Sequence, residues 1–514
     1  MKILWADDEI DLLRAHILFL EGKGYEVLIA TNGQDAIDLC REHNFDIIFL
    51  DENMPGLNGL QTLAHIKIIN SNVPVVMITK SEEENIMDMA IGSKISDYLI
   101  KPVNPNQIVL AIKKHVYKKE IIAEHITSNY RTEFAQIGMQ INECVTHSDW
   151  SKLYKKLLYW EIELDASENE MRDLLQMQKN EANHAFTKYI KNNYESWFDN
   201  EATKPLISAD IFKKKVFPML DNGDKVFLIV IDNFRYDQWL VIKELLNDYF
   251  VFTEEEPYYS ILPTATQYGR NAIFSGLMPL QIQQMFPHLW VEEESEEGKN
   301  LKEEELLQTQ LDRFRKKYSF SYQKINDSHS GEKLIEKIAE IKDNPLNVCV
   351  LNFIDMLSHA KTDSKMMREL VQDDAAYRSL TVSWFKHSST LELFKVLAAN
   401  KFKVVLTTDH GTKKVNNAIK VVGDKGTNVN LRYKVGKNLG YNKKDVFEIT
   451  QPSRIGLPSP NVSSAYIFAS NEDFLAYPNN FNYYVGYYKN TFQHGGISLE
   501  EMIIPIVTME AKAI

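Results

Sequence analysis

Lys225-Val-Phe-Leu-Ile-Val-Ile-Asp232 is an almost unbroken apolar run closed by a carboxylate. Such a run, rich in Val and Ile and without polar alternation, fits a strand covered on both faces. The arrangement recurs downstream: Val348 to Phe353 leads to Asp355 and His359, and Val404 to Thr408 ends in Asp409-His410-Gly411. Between the first two, Pro263-Thr264-Ala265-Thr266 opens a helix-like run toward Ser275-Gly276, and Gln493-His494-Gly495-Gly496 follows near the end of the chain. In open α/β sheets the ligand lies beyond the carboxyl ends of the strands. These stretches therefore predict one large α/β domain, from about residue 206 to 514, with its polar residues gathered on one face.

Taken singly, each signal is weak. Asp-His-Gly is commonly a turn, Asp and His four apart can be a helical surface pair, and Thr264 or Thr266 at a helix start is ordinarily an N-cap. Together, Asp232, Asp355 and Asp409 with His359, His410 and His494 concentrate three carboxylates and three imidazoles at strand ends. Mixed Asp/His ligation suits Zn²⁺ or Mn²⁺, and two such ions roughly 3.5–4 Å apart are a recurrent solution for phosphoryl chemistry.

The first part of the chain has a shorter rhythm. Ile3 to Ala6, Val27 to Ala30, Ile47 to Leu50, Val75 to Ile78 and Tyr98 to Ile100 alternate with amphipathic stretches, which predicts a doubly wound parallel sheet. Asp7 and Asp8 follow the first strand, Asp51 the third, Thr79 the fourth, and Lys101-Pro102 the fifth. Carboxylates crowded in this way need a hard cation, and the arrangement suits Mg²⁺. Asp51 would accept a phosphoryl group, Lys101 would neutralise its oxygens, and Thr79 would hydrogen-bond the product. The set, down to Asp51-Glu-Asn53-Met-Pro55, resembles the receiver domains of two-component response regulators over residues 1–118. That resemblance implies a flavodoxin-like receiver, a Mg²⁺ site at Asp7, Asp8, Asp51 and Asn53, and Tyr98 as the aromatic switch. Thr79 moving toward a phosphate would let Tyr98 turn inward and change the surface of the fourth helix, fifth strand and fifth helix.

After Pro105 the pattern turns to long helices, with Ile108, Ile112, Val116, Ile121, Ile126, Tyr130, Phe134, Ile137 and Ile141 at helical spacing. Trp150 to Leu164 and Glu168 to Phe198 follow, with Ser148 or Asp149 and Ser167 as N-caps. A three-helix bundle over about 119–205 is predicted, a helical-bundle spacer or dimerisation element. Interspersed charge on long helices argues against a DNA-reading helix-turn-helix.

The motif order of the large domain, Asp, Pro-Thr-x-Thr, Asp-x-x-x-His, Asp-His-Gly, His-Gly-Gly, resembles the alkaline phosphatase superfamily, and most of all its PglZ branch. The resemblance implies one metal on Asp355, His359 and His494, a second on Asp232, Asp409 and His410, and Thr266 as nucleophile beside it. Gln267-Tyr-Gly-Arg270 departs from the commoner Phe-Pro-Asn-His, so Arg270 is a candidate for the leaving-group side. Thr266 is neither Cys nor Ser, which argues against a sulfatase. A basic tract, Lys413, Lys414, Lys420, Lys425, Arg432, Lys434, Lys437, Lys443 and Lys444, reads either as a charged loop or as a lid holding an anionic substrate, with Lys413, Arg432 and Lys434 as contacts. Tyr433 could stack a base. Glu292 to Glu305 reads as a solvated acidic insertion.

Composition bounds these expectations. A chain of 514 residues exceeds one core, and 44% apolar with 25% charged residues is ordinary for a globular protein. Cys40, Cys144 and Cys349 form no CxxC pair, and no apolar run approaches a bilayer span, which points to the cytoplasm. A net charge of −13 opposes a broad nucleic-acid-coating surface. Receiver, helical spacer and PglZ-like domain together resemble the PorX-type response regulators linked to type IX secretion in Bacteroidetes. That implies a sensor histidine kinase, a secretion-system or sigma-factor partner, and a homodimer on phosphorylation. The expected activity is a zinc-dependent phosphodiesterase acting on nucleotides or short oligonucleotides. A phosphomonoesterase and a catalytically silent, phosphorylation-driven scaffold are the alternatives.

Overall fold

The computed structural model describes residues 1–80, 95–166, 169–293, 295, 298–424, 426–459, 461 and 463–512. Its contacts divide the chain into two compact units, Met1–Arg131 and Thr132–Ile514.

The first unit carries strands β1 (Lys2–Ala6), β2 (Glu26–Ala30), β3 (Ile47–Asp51), β4 (Val75–Thr79) and β5 (Asp97–Ile100), all parallel, in the order β2-β1-β3-β4-β5. Side chains alternate across a strand. Accordingly Leu4, Ala6, Ile48 and Leu50 pack on one face, and Ile3, Trp5, Ile47 and Phe49 on the other. Helices Arg14–Gly22, Gly33–Glu42, Gly59–Ile69 and Pro105–His115 cover the sheet. The expected fourth helix falls on residues 81–94, outside the described residues. Strand order reverses between β1 and β3, which opens a crevice at their carboxyl ends.

The second unit is built on a six-stranded sheet of β6 (Val226–Ile231), β7 (Phe250–Tyr259), β8 (Phe320–Ile325), β9 (Leu346–Leu351), β10 (Lys403–Thr407) and the C-terminal strand Ile503–Ala511. Their order is β7, C-terminal strand, β10, β6, β9, β8. The last four run parallel, and the C-terminal strand is antiparallel to both of its neighbours. Every residue of β6 is buried, the physical counterpart of its unbroken apolar sequence.

Helix Lys118–Glu143 runs through Gly138 and carries the division between the units; His147–Glu163, Asn169–Asn193 and the short turn Ser196–Asp199 follow. The N-cap of the second is Thr146, in a reciprocal capping box with Asp149, rather than Ser148 or Asp149. The position expected to cap the third, Ser167, lies outside the described residues. The helices after residue 146 are built into the output domain. Tyr259 donates to the His147 carbonyl at 2.6 Å, the Leu262 amide donates to the Tyr194 hydroxyl at 2.7 Å, and the Leu499 amide to Asn183 at 2.8 Å. Trp197 meets Tyr259 edge-on at 5.4 Å.

Buried ions tie the same elements together. Lys179 sits 2.7 Å from Glu161 and 3.7 Å from Glu500, and Arg378 binds Glu161, Asp165 and Asp237 at 2.9, 2.9 and 3.0 Å. Arg235 pairs with Asp237 at 2.5 Å and Asp374 at 2.6 Å. Burial alone would raise the Glu500 carboxyl, but Lys413 and Lys179 carry it down to about 2. Its folded value lies below its unfolded one, so its contribution is complete above about pH 4.5 and is lost as pH falls toward 2. Removing one partner of a buried set leaves uncompensated charge and costs about 3–5 kcal/mol. Lys179→Met should lower the unfolding free energy of the second unit by that amount at pH 7, read as a lower urea midpoint at unchanged slope; an unchanged midpoint would contradict the network's role.

Candidate active site

At the crevice of the first unit, Lys101 Nζ lies 2.9 Å from both Asp7 Oδ2 and Asp51 Oδ1. Asp7 and Asp51 are buried and Asp8 is exposed, and the three offer ligand atoms within 4.8 Å of one another. Burial raises the Asp51 carboxyl, Lys101 opposes and Asp7 reinforces, leaving it above its ordinary value. One lysine does not balance three carboxylates, so the donor set fits a divalent cation. Thr79 donates to Glu52, Asn53 is exposed in the bend after Asp51, and Tyr98 stands on β5, 36% exposed.

In the second unit the residues expected as ligands come from four strand ends. Asp232 follows β6 and Asp409-His410 follow β10. Asp355 and His359 lie one turn apart on helix Phe353–Asp363 after β9, 3.4 Å from each other. His494 follows the short strand Thr491–Gln493, with Nε2 3.8 Å from Asp355. Two groups each hold their ligand atoms within 4.8 Å: Asp355, His359, His494 and Asp232, Asp409, His410. His410 Nδ1 faces the Gly411 carbonyl at 3.0 Å and His494 Nδ1 the Thr264 carbonyl at 3.3 Å. Those acceptors place the proton on Nδ1 and leave each Nε2 lone pair for a cation. Burial and the adjacent His410 push His494 down to about 3, so its ring is neutral, as a ligand must be. The chemistry of both sets fits a metal ion.

Two residues hold the ligands in place that sequence reasoning left unassigned. Asn233, in the left-handed region at φ 59°, donates its amide to Asp409 at 3.2 Å and its side chain to Asp355 at 3.1 Å. Asn tolerates this conformation better than most residues. Glu303, buried inside the acidic stretch, binds Arg270 at 3.2 Å and Lys324 at 2.8 Å. The expected solvated insertion is thus partly structural, because a buried guanidinium needs its counter-charge; Glu294, Glu296 and Glu297 lie outside the described residues.

Thr266 is the first residue of helix Thr266–Ser275. Its Oγ1 lies 3.1 Å from His410 Nε2 and 3.4 Å from Asp232. Thr264 is occupied otherwise, donating to the Gly496 carbonyl at 2.8 Å and accepting from the Gly495 amide at 3.1 Å. Thr266, Gln267, Lys299, His359 and His494 line a cavity of about 670 Å³, closed on one side by residues 426–431.

The four basic residues expected to contact substrate do something else. Arg270, 1% exposed, pairs with Asp232 and, at 3.0 Å, with Asp409, so it steadies the ligand carboxylates. Lys413 is buried 2.9 Å from Glu500. Arg432, fully buried, pairs with Glu501 at 2.6 Å. Lys434 is 1% exposed, donates to the Asn428 carbonyl at 3.0 Å and lies over the Tyr477 ring; burial pushes it down to about 7. Uncharged residues of 426–431 form the cavity wall in place of the expected lysines, and Lys425 lies outside the described residues. Tyr433 lines the cavity but is tied within the protein: its hydroxyl bonds Glu293 and its ring lies perpendicular to that of Tyr268.

Burial raises Asp232 well above the carboxylate range, Arg270 opposes, and Asp409 and Asp355 reinforce; burial pushes Asp409 up as well, but Arg270 and His410 outweigh it and hold Asp409 below its ordinary value. One guanidinium is insufficient for both.

A receiver fold with an acidic, lysine-bridged crevice and a separate α/β unit with two Asp/His clusters define a response regulator with an alkaline phosphatase-like output. The chain belongs to the family described as the BREX system PglZ alkaline phosphatase-like domain, whose model matches residues 211–509, more than half of its length. The response regulator receiver domain matches residues 3–113 and the PorX response regulator linker domain residues 120–198. The three in one chain match a PorX-type regulator. The transcriptional regulatory protein ZraR of Klebsiella oxytoca is 30% identical over 138 residues, 27% of this chain and 31% of the relative. SrrA of Staphylococcus aureus is 33% identical over 112 residues, 22% of this chain and 46% of the relative. The chain thus spans less than half of these curated relatives. A CheY-like receiver domain protein from Methanospirillum hungatei JF-1 is 24% identical, with a TM-score of 0.23, 23% of this chain and 95% of that one covered.

Gly269 lets helix Thr266–Ser275 approach the metal-side loop: a Cβ there would lie 2.7 Å from the Asp409 carbonyl oxygen. Overpacking of this kind costs about 1–3 kcal/mol. Gly269→Ala should therefore displace Asp409 and release bound divalent metal to a chromophoric chelator faster than wild type. Identical release would contradict the close approach.

Proposed function

We propose that the chain is a response regulator phosphorylated on Asp51 by a sensor histidine kinase, with Mg²⁺ at Asp7, Asp8, Asp51 and Asn53. Its output domain is a zinc-dependent phosphodiesterase for nucleotides or short oligonucleotides. The observation that carries the reading is Thr266, a hydroxyl at a helix N-terminus, between His410 and Asp232 and open to the cavity.

Thr266 gives its hydroxyl proton to water as Oγ bonds to phosphorus and the bond to the leaving oxygen breaks; that oxygen takes up a proton from water in return, so the step is proton-neutral. Water then cleaves the phosphothreonine and restores the hydroxyl. Zinc at Asp355/His359/His494 and Asp232/Asp409/His410 would supply Lewis-acid charge for the oxygens that become negative. Arg270 and Asn233 orient the carboxylates, and the carbonyls facing Nδ1 of His494 and His410 keep each Nε2 turned inward.

A diester fits better than a monoester. A monoester dianion calls for strong local positive charge, yet among the described lining residues Lys299 is the lone Lys or Arg, itself 3.2 Å from Glu293. Among the described residues no helix is long and apolar enough to cross a membrane. A secretion-system or sigma-factor partner is the downstream target this reading favours. The scaffold alternative gives Thr266 no role.

Thr266→Ala should reduce hydrolysis of bis-p-nitrophenyl phosphate by at least about 10²-fold, with zinc content by elemental analysis retained. Full activity in Thr266→Ala, or a greater loss in Thr264→Ala, would move the nucleophile. Phosphorylation at Asp51 adds charge that Lys101 and Thr79 answer, and a modification shifts an equilibrium by its differential interaction with the two states. Beryllofluoride with Mg²⁺ should raise the dimer fraction in sedimentation for wild type and not for Asp51→Ala; equal responses would remove the switch.

A further inference from the structure

Helix Phe481–Tyr488, of sequence Phe-Asn-Tyr-Tyr-Val-Gly-Tyr-Tyr, carries four tyrosines in eight residues and no charged side chain. Residues four apart share a helix face, so the tyrosines fall in two columns. The rings of Tyr484 and Tyr488 lie 6.0 Å apart and 13° from parallel, and those of Tyr483 and Tyr487 lie 6.1 Å apart and 18° from parallel. The two columns stand nearly perpendicular to each other. No residue of this helix is buried, and Tyr483 and Tyr484 are 67% and 38% exposed. Core packing therefore does not account for them. Contiguous apolar surface left in water marks a place where a ligand or partner docks.

Two observations narrow what docks. The first is continuity: Tyr488, at the inner end of one column, lines the cavity of about 670 Å³ that holds Thr266, His359 and His494, and Tyr484 continues the column outward by one turn. The second is charge. Arg368 donates to the carbonyl of Thr362, itself a lining residue, and its guanidinium lies 4.7 Å over the Tyr487 ring; Lys420 lies 5.0 Å over Phe481. Aromatic rings bordered by cations, with no carboxylate on their own helix, suit a ligand that alternates flat bases with phosphates. Tyrosine serves such a surface better than leucine, because its hydroxyl stays in water while the ring face is uncovered.

We infer that this helix is a stacking platform for a single-stranded oligonucleotide. While one phosphodiester faces Thr266, the bases beyond it stack on Tyr484 and Tyr483, and Arg368 and Lys420 meet the backbone. The platform deepens the reading of the output domain as an oligonucleotide phosphodiesterase and rests on it. Such a surface favours strands over mononucleotides and reads no sequence, since every base has a flat face.

Calorimetric titration of the full-length Thr266→Ala chain tests the platform without turnover. The probes are hexathymidylate and two hexamers of equal charge that keep bases only on the two units at the 5′ or the 3′ end. Hexathymidylate should bind at least about tenfold more tightly than either, the equivalent of stacking one to two bases. Replacing Tyr483 and Tyr484 together by Ala should cut that advantage several-fold, and replacing both by Phe, which keeps the rings, should retain it. An advantage near one in the parent, an advantage that survives the Ala pair, or a Phe pair as weak as the Ala pair overturns the platform. An unaltered advantage with a lower dimer fraction in sedimentation for the Ala pair overturns it too, and gives the face to a second copy of the chain. If no hexamer binds while wild type hydrolyses diesters, the platform alone falls. If no hexamer binds and wild type hydrolyses no diester, the underlying reading falls with it.

Discussion

Three carboxylates brought together out of water set the terms for the large domain. Asp232, Asp355 and Asp409 meet beyond the ends of β6, β9 and β10, and each is at least partly buried. Such crowding is tolerated only where positive charge or hydrogen-bond donors answer it. Arg270 answers Asp232 and Asp409, Asn233 spans Asp409 and Asp355, and three imidazoles face the remaining oxygens. From that requirement follow a glycine at 269, to bring the arginine's helix close, and an acid at 303, to balance the guanidinium.

The loop that carries Thr266 depends on the same packing from the other side. The Leu262 amide is held by Tyr194, Thr264 by Gly495 and Gly496, and only then does Thr266 enter its helix facing the clusters. Because Tyr194 closes the last long helix before the output sheet, the helical linker is a structural wall of the output domain. Its buried ions reinforce this: Lys179 on the linker reaches Glu500, which also holds Lys413, four residues after Asp409. A change in these helices would reach the loops that carry Asp409 and Thr266 through contacts already made.

Much of this was legible in the sequence. Both sheets could be read from apolar runs, because a strand covered on two faces has no polar alternation to obscure it. The six Asp and His residues could be grouped because they sit at strand ends, a position fixed by chain topology. The basic residues were misread for a physical reason. Lys413, Arg432 and Lys434 stand in a charged tract, and charge says nothing of burial; the acids that bury Lys413 and Arg432, Glu500 and Glu501, lie at the far end of the chain. Arg270 was assigned to substrate because its departure from the commoner pattern marked it, yet only the fold shows three carboxylates already around it. Asn233 carried one available signal, a small polar residue directly after a strand-end carboxylate. Glu293 and Glu303 carried none within their acidic run.

The central claim is that the two Asp/His clusters are a pair of metal sites whose ions complete the charge balance Arg270 leaves unfinished. Anomalous diffraction at the zinc absorption edge, on crystals of full-length protein never exposed to chelator, tests it most directly. The account predicts two peaks in the output domain, one bounded by Asp355, His359 and His494 and the other by Asp232, Asp409 and His410. Empty clusters in a map that shows ordered ligand side chains, or ions bound elsewhere, would contradict it.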